Sequence, residues 1–136
     1  MNPDTTERNK SAMLIALILS SVLLAALAQL TLKAGMNRVT DQLGTSASFT
    51  VTSLKAMATS PIVLGGLLLF GLSAVIWLMV LSRASLSFAY PFASLSYLVI
   101  VLASRFILHE SVPPLRWAGV GLIMVGIVLV AQTPHT

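Results

Sequence analysis

The stretch SPIVLGGLLLFGLSAVIWLMVLSRASLSFAYPFASLSYLVIVLASRFILHE (60–110) decides the fold. Pro61 to Leu81 carries no charged side chain, Arg83 follows, and a second apolar run goes from about Leu86 to Leu108 with Arg105 near its end. A helix of about 20 residues rises about 30 Å, the thickness of a bilayer's hydrocarbon core. Each run is therefore long enough to span, and in lipid a segment of this length satisfies its own backbone only as a helix. The connection Arg83–Ser87 is tight, which makes the two helices antiparallel neighbours. Ser60-Pro61 is a helix start, a hydroxyl cap followed by proline in the first turn. Pro91 removes one backbone bond inside the second run and predicts a kink there.

The rest of the chain repeats the pattern. Ser11 to Leu32 is uncharged and predicts a further span, with a cleaved secretory signal as the competing reading because Ala26-Leu27-Ala28 resembles a peptidase site. Leu115 to Ala131 predicts a fourth, short and bearing Gly119, Gly121 and Gly126. The expectation is an all-α integral membrane protein: a compact bundle of four transmembrane helices at about 11–35, 61–82, 86–109 and 115–132, multi-pass in the cell membrane. Residues 1–10 and 133–136 read as polar tails. Residues 37–59 read as a polar loop whose sparse apolar positions, Phe49, Val51, Leu54 and Met57, suit the membrane surface.

Composition agrees. The chain is 57% hydrophobic and only 9% charged, where a soluble domain carries about 25% charged residues. Its net charge of +4 comes from singly scattered Lys and Arg, not from a basic cluster that tracks nucleic acid. There is no cysteine, and His109 and His135 have no metal-ligand spacing. No catalytic constellation, metal site or cofactor is read, and no acid lies inside any of the four runs. The cations do not decide topology: Arg8, Lys10 and Arg83 share one face, and Lys33, Arg38, Lys55, Arg105 and Arg116 the other.

Polar residues inside the runs form stripes. At 100° per residue Tyr90, Ser94, Tyr97, Ser104 and Arg105 share one face of the third helix. Ser21, Ala25, Gln29 and Lys33 form an i, i+4 row on the first, and Ser73 and Trp77 lie one turn apart on the second. Polar groups facing lipid are costly, so these stripes are expected to face the interior or a polar passage. Helix packing through small and hydroxyl residues is the plainer reading. Lys33 and Arg105 fall toward one membrane face. There they either snorkel to the headgroups or, with Gln29, receive a phosphate. Glu110 is expected to form a structural ion pair with Arg105 or Arg116. Gly119 and Gly126, seven apart, present a smooth face to a close neighbour.

Several of these residues together resemble a known family. Trp77-Leu78, Ala89-Tyr90-Pro91, His109-Glu110 before a proline turn with Trp117, and the Gly119…Gly126 pattern resemble the drug/metabolite transporter superfamily, which includes EamA-like and small multidrug resistance proteins. With Gln29-Leu30-x-x-Lys33, the chain is most similar to the small subunits of the aminoarabinose-phosphoundecaprenol flippase. The resemblance implies a non-enzymatic transporter subunit in the inner membrane that moves a polyprenyl-phosphate-linked sugar. Gln29, Lys33, Trp77, Tyr90, Ser94, Tyr97 and Arg105 would be substrate-binding, and Pro91, Glu110, Gly119 and Gly126 structural. Partners implied are membrane lipid, an anionic lipid-linked substrate, and a second four-helix subunit, identical or related, arranged antiparallel. The rival is a proton-coupled exporter of the small multidrug resistance type. That family needs a carboxylate in the middle of helix one, where this chain aligns Ala25. The first loop is less basic than the flippase subunits lead one to expect, which leaves the sugar open.

Overall fold

A computed structural model describes residues 2–44 and 50–135; Phe49 lies outside them. Helix α1 covers Pro3–Leu43, α2 Val51–Thr59, α3 Pro61–Leu81, α4 Leu86–Ala93, α5 Leu95–Phe106 and α6 Pro114–Ala131. Four spans long and apolar enough to cross a membrane result, with α4 and α5 together making the third. Large apolar side chains point outward along them: Leu68 and Leu122 are three-quarters exposed. Lipid is the solvent in which that surface is not penalised.

Helix α1 runs well past its apolar segment. Its 41 residues reach about 60 Å, twice the hydrocarbon thickness. Residues 3–10 are thus helical rather than a free tail, and 37–43 continue the helix rather than open a loop. Pro3 sits in its first turn, and the chain stops only at Gly44, whose φ of 74° suits a residue without a Cβ. The remainder of the expected loop contains α2, where Thr50 Oγ1 accepts the Ser53 N–H. Ser60 Oγ caps α3 at the Val63 N–H, 3.5 Å away.

The third span is broken rather than bent. Pro91 has no N–H to donate, and α4 ends two residues later. Ser94 bridges the break with short-range bonds, donating its N–H to the Pro91 carbonyl at 3.0 Å and accepting from Tyr97 N–H at 3.1 Å. At the far end of α5, His109 adopts φ 54° and turns the Glu110 N–H back onto the Ser104 carbonyl, 2.9 Å away. A β-branched residue at that φ is strained by about 1–2 kcal/mol. His109→Val is therefore expected to lower the melting temperature in detergent by several degrees, while His109→Gly stays near the parent value.

Two contacts assemble the bundle. Toward the chain termini, Leu14, Ile18 and Val22 of α1 pack with Val80, Phe88, Ala89, Phe92 and Ile127. Toward the other face, α1 and α3 cross so closely that their glycines touch side chains. A Cβ on Gly35 would lie 2.8 Å from Val63 Cγ2, and one on Gly66 2.8 Å from Leu32 Cγ. Helix α6 stands apart, burying only Val120 and Ile127.

Candidate functional site

Between α1, α3 and the α4–α5 junction lies an open cavity of about 240 Å³. Ser21, Val22, Ala25 and Gln29 line it from α1, Phe70, Ser73, Ala74 and Trp77 from α3, and Ala93 and Ser96 from the third span. None of these side chains is ionisable. Most of the wall is aliphatic or aromatic, so the groove suits a hydrocarbon chain or the faces of a sugar ring.

The hydroxyls have their protons engaged. Ser21 Oγ donates across the helix pair to the Ser73 carbonyl at 3.0 Å. Ser73 Oγ donates to the Phe70 carbonyl at 2.9 Å, and Ser96 Oγ to the Ala93 carbonyl at 2.7 Å. Each oxygen keeps lone pairs, and so the serines offer a ligand acceptors only. Ser21 and Ser73 are buried and tie α1 to α3 at membrane depth. Gln29 is different: its amide has no hydrogen-bond partner among the described residues and is exposed. An unpaired amide in hydrocarbon costs several kcal/mol, so this position calls for a partner supplied from outside the chain.

Of the residues expected to bind substrate, Gln29 and Trp77 line the groove. Tyr90 meets Trp77 edge-on, ring centres 6.1 Å apart, but is itself 59% exposed. Tyr97 is exposed, and Ser94 sits in the helix break. The third span turns Ala93 and Ser96 into the groove instead of the Tyr90–Ser94–Tyr97 stripe. Phe88 and Phe92, buried with rings 5.1 Å apart, set that rotation. Burying two phenylalanines is worth about 2–3 kcal/mol each, more than a hydroxyl gains by turning inward. Ser96, Ala93, Ala74 and Phe70 escaped the reading of the sequence. The signal available for the shared wall was the seven-residue recurrence of small residues, Ser21, Ala28 and Gly35 on α1 and Gly66 and Ser73 on α3.

Lys33 and Arg105 are both exposed, and neither lines the groove. α1 and α5 run in the same direction, so both cations lie toward the end of the bundle away from the chain termini. Among the described residues the one ion pair is Lys10–Glu7. Glu110 therefore does not pair with Arg105 or Arg116; the left-handed turn at His109 leaves its side chain exposed. The glycines also fall differently. Gly119 and Gly126 have nothing among the described residues within 4 Å of an added Cβ, whereas Gly35 and Gly66 sit in a close contact.

No protein-family model matches the chain, and no solved structure does. Among curated proteins it is 43% identical over 67 residues to the probable 4-amino-4-deoxy-L-arabinose-phosphoundecaprenol flippase subunit ArnE of Serratia proteamaculans (strain 568). That match spans 49% of this chain and 58% of the relative. It is 38% identical over 87 residues to the proteins of the same name in Salmonella enteritidis PT4 and Salmonella gallinarum, covering 55% of this chain and 78% of each relative.

Proposed function

Because the chain belongs to the family of these flippase subunits, we propose that it is one component of an inner-membrane transporter that moves a polyprenyl-phosphate-linked sugar between leaflets. It acts by binding and passage, not by making or breaking bonds. The observation that carries the reading is the groove itself: apolar walls, acceptor hydroxyls from Ser21, Ser73 and Ser96, and one unpartnered amide at Gln29. Sugar hydroxyls donate to the serine oxygens, the prenyl chain lies against the aliphatic wall, and Trp77 offers a face for a sugar ring. Lys33 and Arg105, free of carboxylate partners among the described residues, receive the phosphate as it reaches their face. Arginine does so with two parallel donors. A proton-coupled exporter would need a titrating acid in the groove, and Ala25 stands on its wall.

Four helices with an open groove make half of a passage. A second four-helix subunit, identical or related, closes it, set antiparallel, and the open Gly119–Gly126 face of α6 offers a further surface for contact with it. The smooth face lets two backbones approach.

The test is flipping of a short-chain polyprenyl-phosphate sugar in proteoliposomes that hold the chain with the membrane protein that copurifies with it. Lys33→Gln with Arg105→Gln is expected to slow flipping at least about 10-fold, the worth of one charge-assisted hydrogen bond. An unchanged rate, or efflux of a hydrophobic cation driven by a pH gradient, sinks the proposal.

A further inference from the structure

A second cavity opens at the opposite end of the bundle, and the groove does not use it. Lys10, Met13 and Leu14 of α1, Arg83 of the α3–α4 turn and His135 of the C-terminal segment line about 400 Å³. Three basic side chains far apart in sequence meet there, and the fold holds Arg83 and His135 in place. Arg83 Nη1 rests 3.6 Å from Met13 Sδ. The His135 carbonyl accepts the Ser85 N–H at 3.0 Å, and its ring packs edge-on to Phe88 at 6.0 Å, pinning the C-terminal segment over the turn.

Among the described residues, no carboxylate lines this cavity. Glu7 reaches Lys10 at 3.1 Å, but both side chains are about two-thirds exposed, and such a pair contributes under about 1 kcal/mol. Arg83 makes no ion pair among the described residues. The cavity also has two levels. Leu14 is buried at the start of the apolar part of α1, and Arg83 follows the end of α3. An apolar floor with a cationic rim thus sits at the boundary between hydrocarbon and headgroups. A cation that merely snorkels reaches into open headgroup space; here a guanidinium, an ammonium and an imidazole converge on one concave site.

We propose that this cavity binds the anionic phosphate headgroup of a membrane lipid, with Arg83 and Lys10 as the charged donors, His135 as a third, and the lipid chain running over Met13 and Leu14. The site is separate from the groove, since it uses other residues at the other membrane face. Two lipids supply the same chemistry, an acidic phospholipid and a polyprenyl phosphate.

Photoreactive lipids in nanodiscs distinguish them, with labelled peptides mapped by mass spectrometry. Photoreactive phosphatidylglycerol, undecaprenyl phosphate or both are expected to label residues 10–14 and 83–88 at least about 10-fold more than photoreactive phosphatidylcholine. Whichever acidic lipid labels identifies the source. In Lys10→Gln with Arg83→Gln that labelling falls to the phosphatidylcholine level, while labelling around Lys33 persists. Arg83→Lys, which keeps the charge, retains most of it and separates loss of charge from loss of fold. Equal labelling by phosphatidylcholine, or labelling unaltered by the double substitution, overturns the site. So does protection of the segment by inorganic phosphate with no lipid label.

Discussion

Gly66→Leu is expected to leave almost no folded protein. The α1–α3 crossing has no room at this position: the first added carbon would lie 2.8 Å from Leu32 Cγ and 3.1 Å from the Leu32 backbone nitrogen. A leucine rotamer can move aside for one methyl, but the backbone of α1 does not move without dismantling the contact. Gly35 is matched to it, its Cβ position 3.1 Å from the Val63 nitrogen. Overpacking a well-filled contact by a few carbons costs about 1–3 kcal/mol, and prising two helices apart costs more. Against a total stability of about 5–15 kcal/mol the loss is severe. The measurement is the fraction of monodisperse protein in detergent and its melting temperature. Gly66→Ala should be intermediate. Gly126→Leu is the control, because Gly126 is exposed and nothing among the described residues lies within 4 Å of its added Cβ. It should melt like the parent and still lose flipping, if α6 carries the partner contact. If Gly66→Leu melts like the parent as well, the close α1–α3 seam is wrong.

Ala25→Glu and Ala25→Gln should differ widely, though the two side chains have nearly the same size. Ala25 is partly buried on the wall of the groove, two turns from Lys33. Both substitutions narrow the passage equally, so any difference between them reads charge. A carboxylate about 6 Å from a phosphate in transit repels it by about 3 kcal/mol at an effective dielectric constant near 20, about 100-fold in rate. Ala25→Gln is expected to keep flipping within about 5-fold of the parent, and Ala25→Glu to fall about 100-fold below Ala25→Gln. The assay is the same polyprenyl-phosphate flipping, with melting temperature checked for each variant. Equal rates for the two substitutions would mean that no anion passes this wall. A gain of cation efflux in Ala25→Glu would show how close the groove stands to the proton-coupled branch of the superfamily.

The candidate site was half legible before the fold was known. Gln29 and Trp77 could be read from the row of polar and small residues on α1 and from the Ser73–Trp77 pair, and both line the groove. The third span misled. Tyr90, Ser94 and Tyr97 share a face on an ideal helix, but Pro91 and the break at Ser94 interrupt that helix. The packing of Phe88 and Phe92 then chooses which face turns inward. The glycines divide in the same way: Gly119 and Gly126 offer a face to a neighbour, whereas the close contact within the chain belongs to Gly35 and Gly66, which the sequence did not single out.

The number of spans, their length and lipid as their solvent were determined by the sequence alone. Transfer of a side chain into hydrocarbon is a local quantity, and twenty such terms add up without reference to any neighbour. The rotation of each helix about its axis was not determined there. Helix α3 is apolar all round, and lipid tails are as apolar as a leucine, so no hydrophobic stripe tells one face from another. Only the close fit of Gly35 on Val63 and of Gly66 on Leu32, with the Ser21–Ser73 hydrogen bond farther along the same helix pair, decides which residues of α1 and α3 face each other. Van der Waals contact and hydrogen bonding require both helices to be present, so the groove they form exists only in the folded chain.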